Sequence, residues 1–457
     1  MLRVTGQTRR QSTLDCPPHP IPIPNTVTHT SPSPQPLRHS RIINVSPVYY
    51  GWVVLIVGSI GGILTSPGQT YAIAVFIDSF IEDLGVSRSM VSTLYGTGTL
   101  LGSFALPFVG RQIDKRGVRA IVGVVSLLLG VTCVYMGFIQ NALMLGVGFF
   151  LLRMLGQGSL SLVSKNAINQ WWVRRRGFAM GLAGVATALL GSGTFPGLIN
   201  WMIPQFGWRT SYILLGVGLA VIMVPLGTLF IRNRPEDYGL QPDGHAAPDE
   251  EESAEPIEEN WTLEEAIRTP VFWVISASMG SMSALSTGLT FHFFSIFRDS
   301  GLSSSMAASI FLPIASVGAC VQFAGGILID RLPVRAMVAV ALVLQSTVLV
   351  MAPNLVSYEM ALTMGIFMGI RGGLQLIVSS VIWAKFFGRR YLGSITGLSS
   401  TLMVGSSALG SVPFGIARDW FGSYHIVLTS FAVLPLVLAV LCLIYAKPPT
   451  QTEPSQG

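Results

Sequence analysis

About a dozen apolar stretches recur along this chain. Each is near twenty residues long, enough for a helix rising ~1.5 Å per residue to cross the ~30 Å hydrocarbon core of a bilayer. No soluble fold needs that many. Charge supports the reading, since 11% of the 457 residues are charged against 50% hydrophobic, with a mean hydropathy of +0.59, outside the range of soluble domains. The chain is therefore read as an all-α integral membrane protein of twelve transmembrane helices. The spans are 50–76, 89–109, 120–140, 142–168, 177–202, 209–231, 270–294, 304–328, 334–352, 357–383, 391–415 and 423–446.

The net charge of +6 does not point to nucleic acid, because the cations are spread over short loops rather than gathered in one patch. Arg111, Lys115, Arg116 and Arg119; Arg174, Arg175 and Arg176; Arg232, Arg234 and Arg268; Arg331 and Arg335; and Lys385, Arg389 and Arg390 fall in alternate loops. The opposite loops hold little beyond Arg88, Arg209, Arg298 and Arg418. By the positive-inside rule the first set is cytoplasmic, which places both termini there. A plasma or inner membrane is expected.

Residues 1–46 are rich in Pro, Ser and Thr, with no apolar periodicity, and read as a disordered cytoplasmic tail. A transit peptide stays open for this segment, given Arg3, Arg9 and Arg10 against the single acid Asp15. A six-helix bundle is expected over 47–231, a polar cytoplasmic linker over 232–268, a second bundle over 269–446 and a cytoplasmic tail over 447–457. Within the linker, Thr262 and Glu265 stand at capping-box spacing at the head of a short amphipathic helix. Tyr49, Tyr50, Trp52, Trp171, Trp172, Trp208 and Trp383 lie at span edges, where interfacial anchoring is expected. Cys16, Cys133, Cys320 and Cys442 are scattered, so neither a disulfide framework nor a metal site is signalled.

The chain repeats itself. Gly326, Asp330 and Arg335 stand 216 positions after Gly110, Asp114 and Arg119, and the same offset joins Gly85 to Gly301, Met90 to Met306, Gly177 to Gly393 and Gly181 to Gly397. Such an offset fits a parallel duplication, two pseudo-symmetric six-helix bundles with a site near the midplane where they face each other.

Two motifs carry a resemblance to a known family. Gly110-Arg-Gln-Ile-Asp114-Lys-Arg116-Gly117-Val-Arg119 resembles the major facilitator superfamily signature between the second and third helices, and Arg153-Met-Leu-Gly156-Gln157-Gly158 that of the fourth. A narrower likeness, to the monocarboxylate porters, rests on Tyr50-Gly51-Trp52 and on Trp171-Trp172-Val-Arg174-Arg175-Arg176-Gly177. The resemblance implies that helices 1, 4, 7 and 10 line a central path and that the protein transports by alternating access. Those porters typically carry a Lys in helix 1 and an Asp/Arg pair in helix 8; this sequence has neither.

Arg153 and Arg371 stand alone among apolar residues, about a dozen residues or ~18 Å deep in their spans. A charge there faces the bundle interior or a wet cavity, and a guanidinium fork suits a carboxylate. Both are candidate substrate ligands. Gln157 and Gln375 lie one turn further along the same faces. Ser283, Thr287 and Thr290 form a polar stripe on the seventh span, and Pro67-Gly68 interrupts the first span beside Gln69 and Tyr71, where freed backbone groups can line a site. No Asp or Glu lies deep in a span. His292, near the outer end of the seventh, is expected to be passive, so proton coupling is implied by the resemblance alone.

The hairpin residues Gly110, Asp114, Arg116, Gly117 and Arg119, with Gly326, Asp330, Arg331 and Arg335 in the second half, are expected to act as a gate. The resemblance implies that Asp114 and Asp330 each meet the positive start of a helix in the opposite half, near Gly393 and Gly177 respectively. No catalytic set, metal cluster or cofactor motif occurs. The expected partners are a small-molecule substrate, first of all a carboxylate, and the lipid bilayer, with the protein a monomer. A facilitator or exporter of uncharged or amphipathic solutes, and a membrane sensor that binds without transporting, are the competing readings.

Overall fold

The computed structural model describes residues 40, 42–43, 46–173, 175–244, 261–328, 333–388 and 392–446, all within one compact unit, Arg38–Gly457. Residues 1–39, 41, 44 and 45 of the expected tail 1–46, the acidic stretch 245–260, the end 447–457 and the gating residues Asp330 and Arg331 lie outside the described residues.

Twelve membrane helices follow in order: α1 Gly51–Leu84, α2 Arg88–Phe104 continued as Leu106–Arg116, α3 Val118–Met136, α4 Ala142–Trp171, α5 176–206 and α6 208–230. The second half repeats them as α7 Pro270–Phe291 continued as Phe293–Asp299, α8 Ser304–Leu328, α9 Val334–Met351, α10 Tyr358–Phe387, α11 Leu392–Gly410 continued as Val412–Phe421, and α12 His425–Tyr445. Nine described stretches are apolar and long enough to cross a membrane by composition; one, Arg176–Phe230, is α5 and α6 together, divided at Gly207 (φ 74°), a conformation open to glycine. The other two helices, α2 and α7, are the more polar ones. Several helices outrun the expected spans: α1 continues to Leu84 and carries Asp78, Glu82 and Asp83 on its last turns.

Pro67-Gly68 does break α1. A tight Ser66–Gly68 turn separates Gly51–Ile63 from Thr70–Leu84. Opposite it, α4 widens into a π-helical stretch, Arg153–Leu160. A Cβ on Gly68 would stand 2.3 Å from the Leu152 carbonyl oxygen and 2.9 Å from Gly156 Cα, so the two irregular segments meet backbone to backbone. The glycines of 96–102 serve helix packing in the same way: a Cβ on Gly98 or Gly102 would meet the α4 backbone at 2.8 or 3.1 Å.

The hairpin residues Gly110–Arg119 mark one end of the molecule, which also holds the starts of α1 and α7. There Tyr50, Trp171 and Trp172 are almost fully buried, which corrects their expected role as interfacial anchors. The Tyr49 hydroxyl donates to the Trp171 carbonyl (2.7 Å), Tyr50 to Phe230 (2.7 Å), Trp171 Nε1 to Arg232 (3.1 Å) and Trp172 Nε1 to Gly51 (3.0 Å). This knot ties α1, α4 and α6 together. The Asp243 carboxylate extends it, accepting the N–H groups of Val173 and Arg175 at 3.1 Å each. The capping box forms as expected on the one-turn helix Leu263–Ile267: Thr262 Oγ1 accepts from Glu265 N (3.3 Å) and Glu265 Oε2 from Thr262 N (2.8 Å). That N–H holds the Glu265 carboxyl below its ordinary value.

The two halves join at the end remote from the hairpins. One hydrophobic cluster runs from the first half into the far-end residues of the second, among them Leu285, Phe291, Phe297, Phe414 and Leu428. A separate cluster fills the hairpin end of the second half, around Phe272, Val338, Val378 and Cys442. At the far end Ser89 N donates to Asp419 (2.7 Å), and Asp78 pairs with Arg88 of its own half and with Arg298 of the other (2.9 Å). Arg418 pairs with Asp299 (2.9 Å). A Cβ on Gly96 would stand 2.4 Å from the Ala408 carbonyl oxygen. Toward the hairpin end, by contrast, Gly110, Gly177, Gly181, Gly184 and Gly397 each face open space.

Candidate functional site

Arg153 begins the widened stretch of α4 and is 3% exposed. Its Nε donates to Thr99 Oγ1 on α2 (2.9 Å), and its Nη1 to the Gly68 carbonyl freed by the α1 break (3.0 Å) and to Thr70 Oγ1 (3.5 Å). The guanidinium lies 4.9 Å from the Tyr95 ring centroid, a cation–π contact, and the Tyr95 hydroxyl meets Thr70 Oγ1 at 2.6 Å. Nη2 is buried with no partner. Arg153 thus joins α1, α2 and α4, and one of its donors remains unused.

Arg371 is 7% exposed on α10. It donates from Nη1 to Gln375 Oε1 (2.9 Å) and from Nη2 to Ser286 Oγ on α7 (3.0 Å). Among the described residues no carboxylate lies within ion-pair distance of either arginine. Among the described residues these two arginines are therefore held by neutral groups alone, an arrangement with uncompensated charge.

The remaining expected residues divide. Gln375 reaches Arg371, whereas Gln157 is exposed one turn beyond Arg153. That part of α4 packs on α1 through Gly156 and Ser164 and on α2 through Met154 and Gly158. The face between them carries Arg153, Gln157, Ser161 and Lys165. Gln69 and Tyr71 turn back on the α1 break, Gln69 Nε2 donating to Thr65 Oγ1 (3.1 Å) and Tyr71 meeting Ser66 Oγ (2.9 Å). Thr287 bonds Ser407 of α11 (2.7 Å), while Ser283 and Thr290 are half-buried on the same helix.

At the hairpin, Gly117 takes φ 80° and ψ 159°, and a Cβ there would collide with the Asn233 side chain. Arg119 is held by its own half, Nε donating to the Thr228 carbonyl (2.7 Å) and its N–H to Asn233 Oδ1 (3.2 Å). Arg116 is exposed and Gly110 unobstructed; Gly326 falls within α8 and Arg335 on the first turn of α9.

Sequence reasoning missed Ser286, Thr99 and Tyr95. Ser286 lies three residues from Ser283 on the polar stripe, a spacing that was available. Tyr95 and Thr99 sit one turn apart on a span that offered no charge to draw attention. His292, expected to be passive near a membrane surface, is instead fully buried where the halves meet.

Residues 58–411 match the sequence model of the Major Facilitator Superfamily. A probable sulfoacetate transporter of Cupriavidus necator is 29% identical over 164 residues, 34% of this chain and 36% of that protein. The sialic acid transporter of Escherichia coli is 27% identical over 169 residues, 36% of this chain and 39% of its own length. The chain thus spans well under half the length of these curated relatives. Among solved structures, a bacterial homologue of the human lysosomal transporter Spinster, described as inward-facing and unoccupied, superposes with a TM-score of 0.65 at 16% identity, over 88% of this chain and 97% of that one.

Proposed function

The chain belongs to the major facilitator superfamily, whose matched relatives are transporters and not enzymes, and from that membership we propose that it carries a small organic anion, such as a monocarboxylate, by proton-coupled alternating access. One observation carries the reading. Arg371 is buried in the membrane interior with Gln375 and Ser286 as its only hydrogen-bond partners among the described residues and no carboxylate to balance it. An arriving anion would supply the missing charge and gain a bidentate contact.

Arg153 has a different part in this proposal. Three of its contacts already hold α1 to α2 and α4, so it shapes the wall of the site and offers at most Nη2 to the substrate. The relatives that transport sulfoacetate and sialic acid take anionic cargo, which supports the substrate class. The likeness to the monocarboxylate porters supports the narrower reading, although its Tyr50 and Trp171-Trp172 motifs sit in the knot at the hairpin end. With the cation-rich hairpins cytoplasmic, both termini are too, and the sealed far end corresponds to an inward-facing carrier. A monomer in a plasma or inner membrane is the simplest assembly.

The test is counterflow of labelled monocarboxylates in liposomes, paired with thermal shift of the purified protein. Carboxylates are expected to stabilise the protein, and Arg371→Gln to lower flux at least tenfold and abolish that stabilisation. Stabilisation by neutral analogues only, or unchanged flux in a correctly inserted Arg371→Gln protein, overturns the anion reading.

A further inference from the structure

We propose that His292 is a proton-binding site whose occupation unseals the far end of the carrier. The residue lies between the two segments of α7 and is fully buried. Its Nε2 is 3.0 Å from the Ser411 carbonyl oxygen, which can only accept, so Nε2 carries a hydrogen. Ser92 of the opposite half approaches the same nitrogen at 3.3 Å while giving its own hydrogen to the Arg88 carbonyl (2.8 Å). Nδ1 is 3.2 Å from the Tyr424 hydroxyl. The hydroxyl has one hydrogen and two acceptors within reach, Nδ1 and Ser295 Oγ (3.1 Å); given to Nδ1 it completes the neutral ring, whose one donor and one acceptor are then both used. The ring also lies parallel to Phe414, with centroids 6.0 Å apart.

A second proton has no such welcome while the seam is closed. It would go to Nδ1, turning the Tyr424 hydroxyl toward Ser295 Oγ (3.1 Å) and leaving a full charge without water. The charged and titratable groups around the ring come from five helices. On α2, Arg88 is itself a buried cation. The carboxylates already have partners: Asp78 of α1 holds Arg88 and Arg298, Asp299 of α7 holds Arg418 of α11, and Asp419 of α11 accepts from Ser89 N. Tyr424 and His425 head α12. Among the described residues no carboxylate touches the imidazole, so a protonated ring is costly as long as the seam excludes water.

Opening the far end separates α2 from α7 and α11 and wets the ring, which then binds protons with an ordinary affinity near pH 6.5. The sign follows from linkage. Above that pH protons favour neither state; below it they favour the open seam, by up to about tenfold in the open-to-sealed ratio per pH unit. Acid at the far side therefore holds the carrier open toward that side.

This inference rests on the alternating-access reading and is tested separately from it. Hydrogen–deuterium exchange of the full chain in nanodiscs is followed in segments 88–96 and 408–416 from about pH 8 to pH 5. The ratio of native to His292→Gln exchange cancels the intrinsic pH dependence of the amides. It is expected to be flat above about pH 7 and to rise several-fold by pH 5, with His292→Phe behaving as His292→Gln does. A ratio independent of pH overturns the proposal. If neither variant folds, the native chain decides: exchange in 88–96 divided by that in 118–129 of α3 must rise on acidification, and a constant quotient overturns the proposal. Failed counterflow by the native chain would sink the transport reading and leave the exchange result standing.

Discussion

Tyr95 of the first half and Phe291 of the second pack with ring centroids 4.3 Å apart, and the same Tyr95 ring meets the Arg153 guanidinium at 4.9 Å and the edge-on Phe149 ring at 5.8 Å. One side chain therefore touches both the α1–α4 junction and the seal between halves. An aromatic pair contributes ~0.5–1.5 kcal/mol beyond its area burial. Tyr95→Leu should thus shift the carrier toward the far-end-open state by about two- to twelvefold. Tyr95→Phe keeps the stack but loses the Thr70 hydroxyl bond, and should leave the seal closed. Spin-label distances between α2 and α11 check both; equal distance distributions in the two variants would contradict the role of the ring.

Gly68 and Gly156 allow the broken α1 and the widened α4 to meet with no side chain between them. Gly68→Ala places its methyl 2.3 Å from the Leu152 carbonyl oxygen, and backbone cannot swing aside as a flexible side chain can. Overpacking of this kind typically costs ~1–3 kcal/mol. The variant should melt several degrees lower and lose the Arg153–Gly68 bond, with flux falling in step. Gly197→Ala, whose methyl meets nothing within 4 Å, is the control and should match the native protein in both measurements.

Among the described residues Asp78 is the one acid of α1 that pairs across the halves, bridging Arg88 and Arg298. Asp78→Asn leaves Arg88, buried on α2, without its counter-ion while the seam is closed. Because Asp78 is 26% and Arg298 51% exposed, the loss is set at ~1–2 kcal/mol rather than the 3–5 of a fully buried pair. That is about five- to thirtyfold toward the open state. Reagents supplied at the far side should modify a cysteine placed at Ser89 faster in Asp78→Asn than in native protein; an unchanged rate would remove Asp78 from the seal.

What the sequence disclosed follows from what membranes penalise. Twelve spans, the α1 break at Pro67-Gly68 and the lone Arg153 and Arg371 were legible because apolar length, proline and buried charge each carry a large local cost. The capping box at Thr262 and Glu265 was legible because it is local. The knot of Tyr49, Tyr50, Trp171 and Trp172 was not, since an aromatic at a span edge looks the same whether it meets lipid or another helix. Nor was the seal: Ser92 and Ser411 are 319 positions apart, and neither marks its sequence neighbourhood. Ser286 was obscured by Ser283 and Thr287, which share its helix and its chemistry.

Arg153 and Arg371 look alike in sequence and differ in their partners, so one substitution should separate them. Lysine keeps the charge but has no fork, and its single ammonium cannot reach Thr99 and the Gly68 carbonyl as Nε and Nη1 do together. Arg153→Lys should therefore lower the melting temperature, because losing a hydrogen bond to a charged group costs ~1.5–3 kcal/mol. Flux should fall with folded protein rather than through substrate affinity. Among the described residues Arg371 binds Gln375 and Ser286 alone, both within reach of an ammonium, so Arg371→Lys should melt near the native temperature while KM for carboxylates rises about tenfold or more from the loss of bidentate contact. Melting curves and a KM-against-Vmax comparison on the same two proteins decide it. A rise in KM without loss of stability in Arg153→Lys would move the substrate's counter-ion to α4.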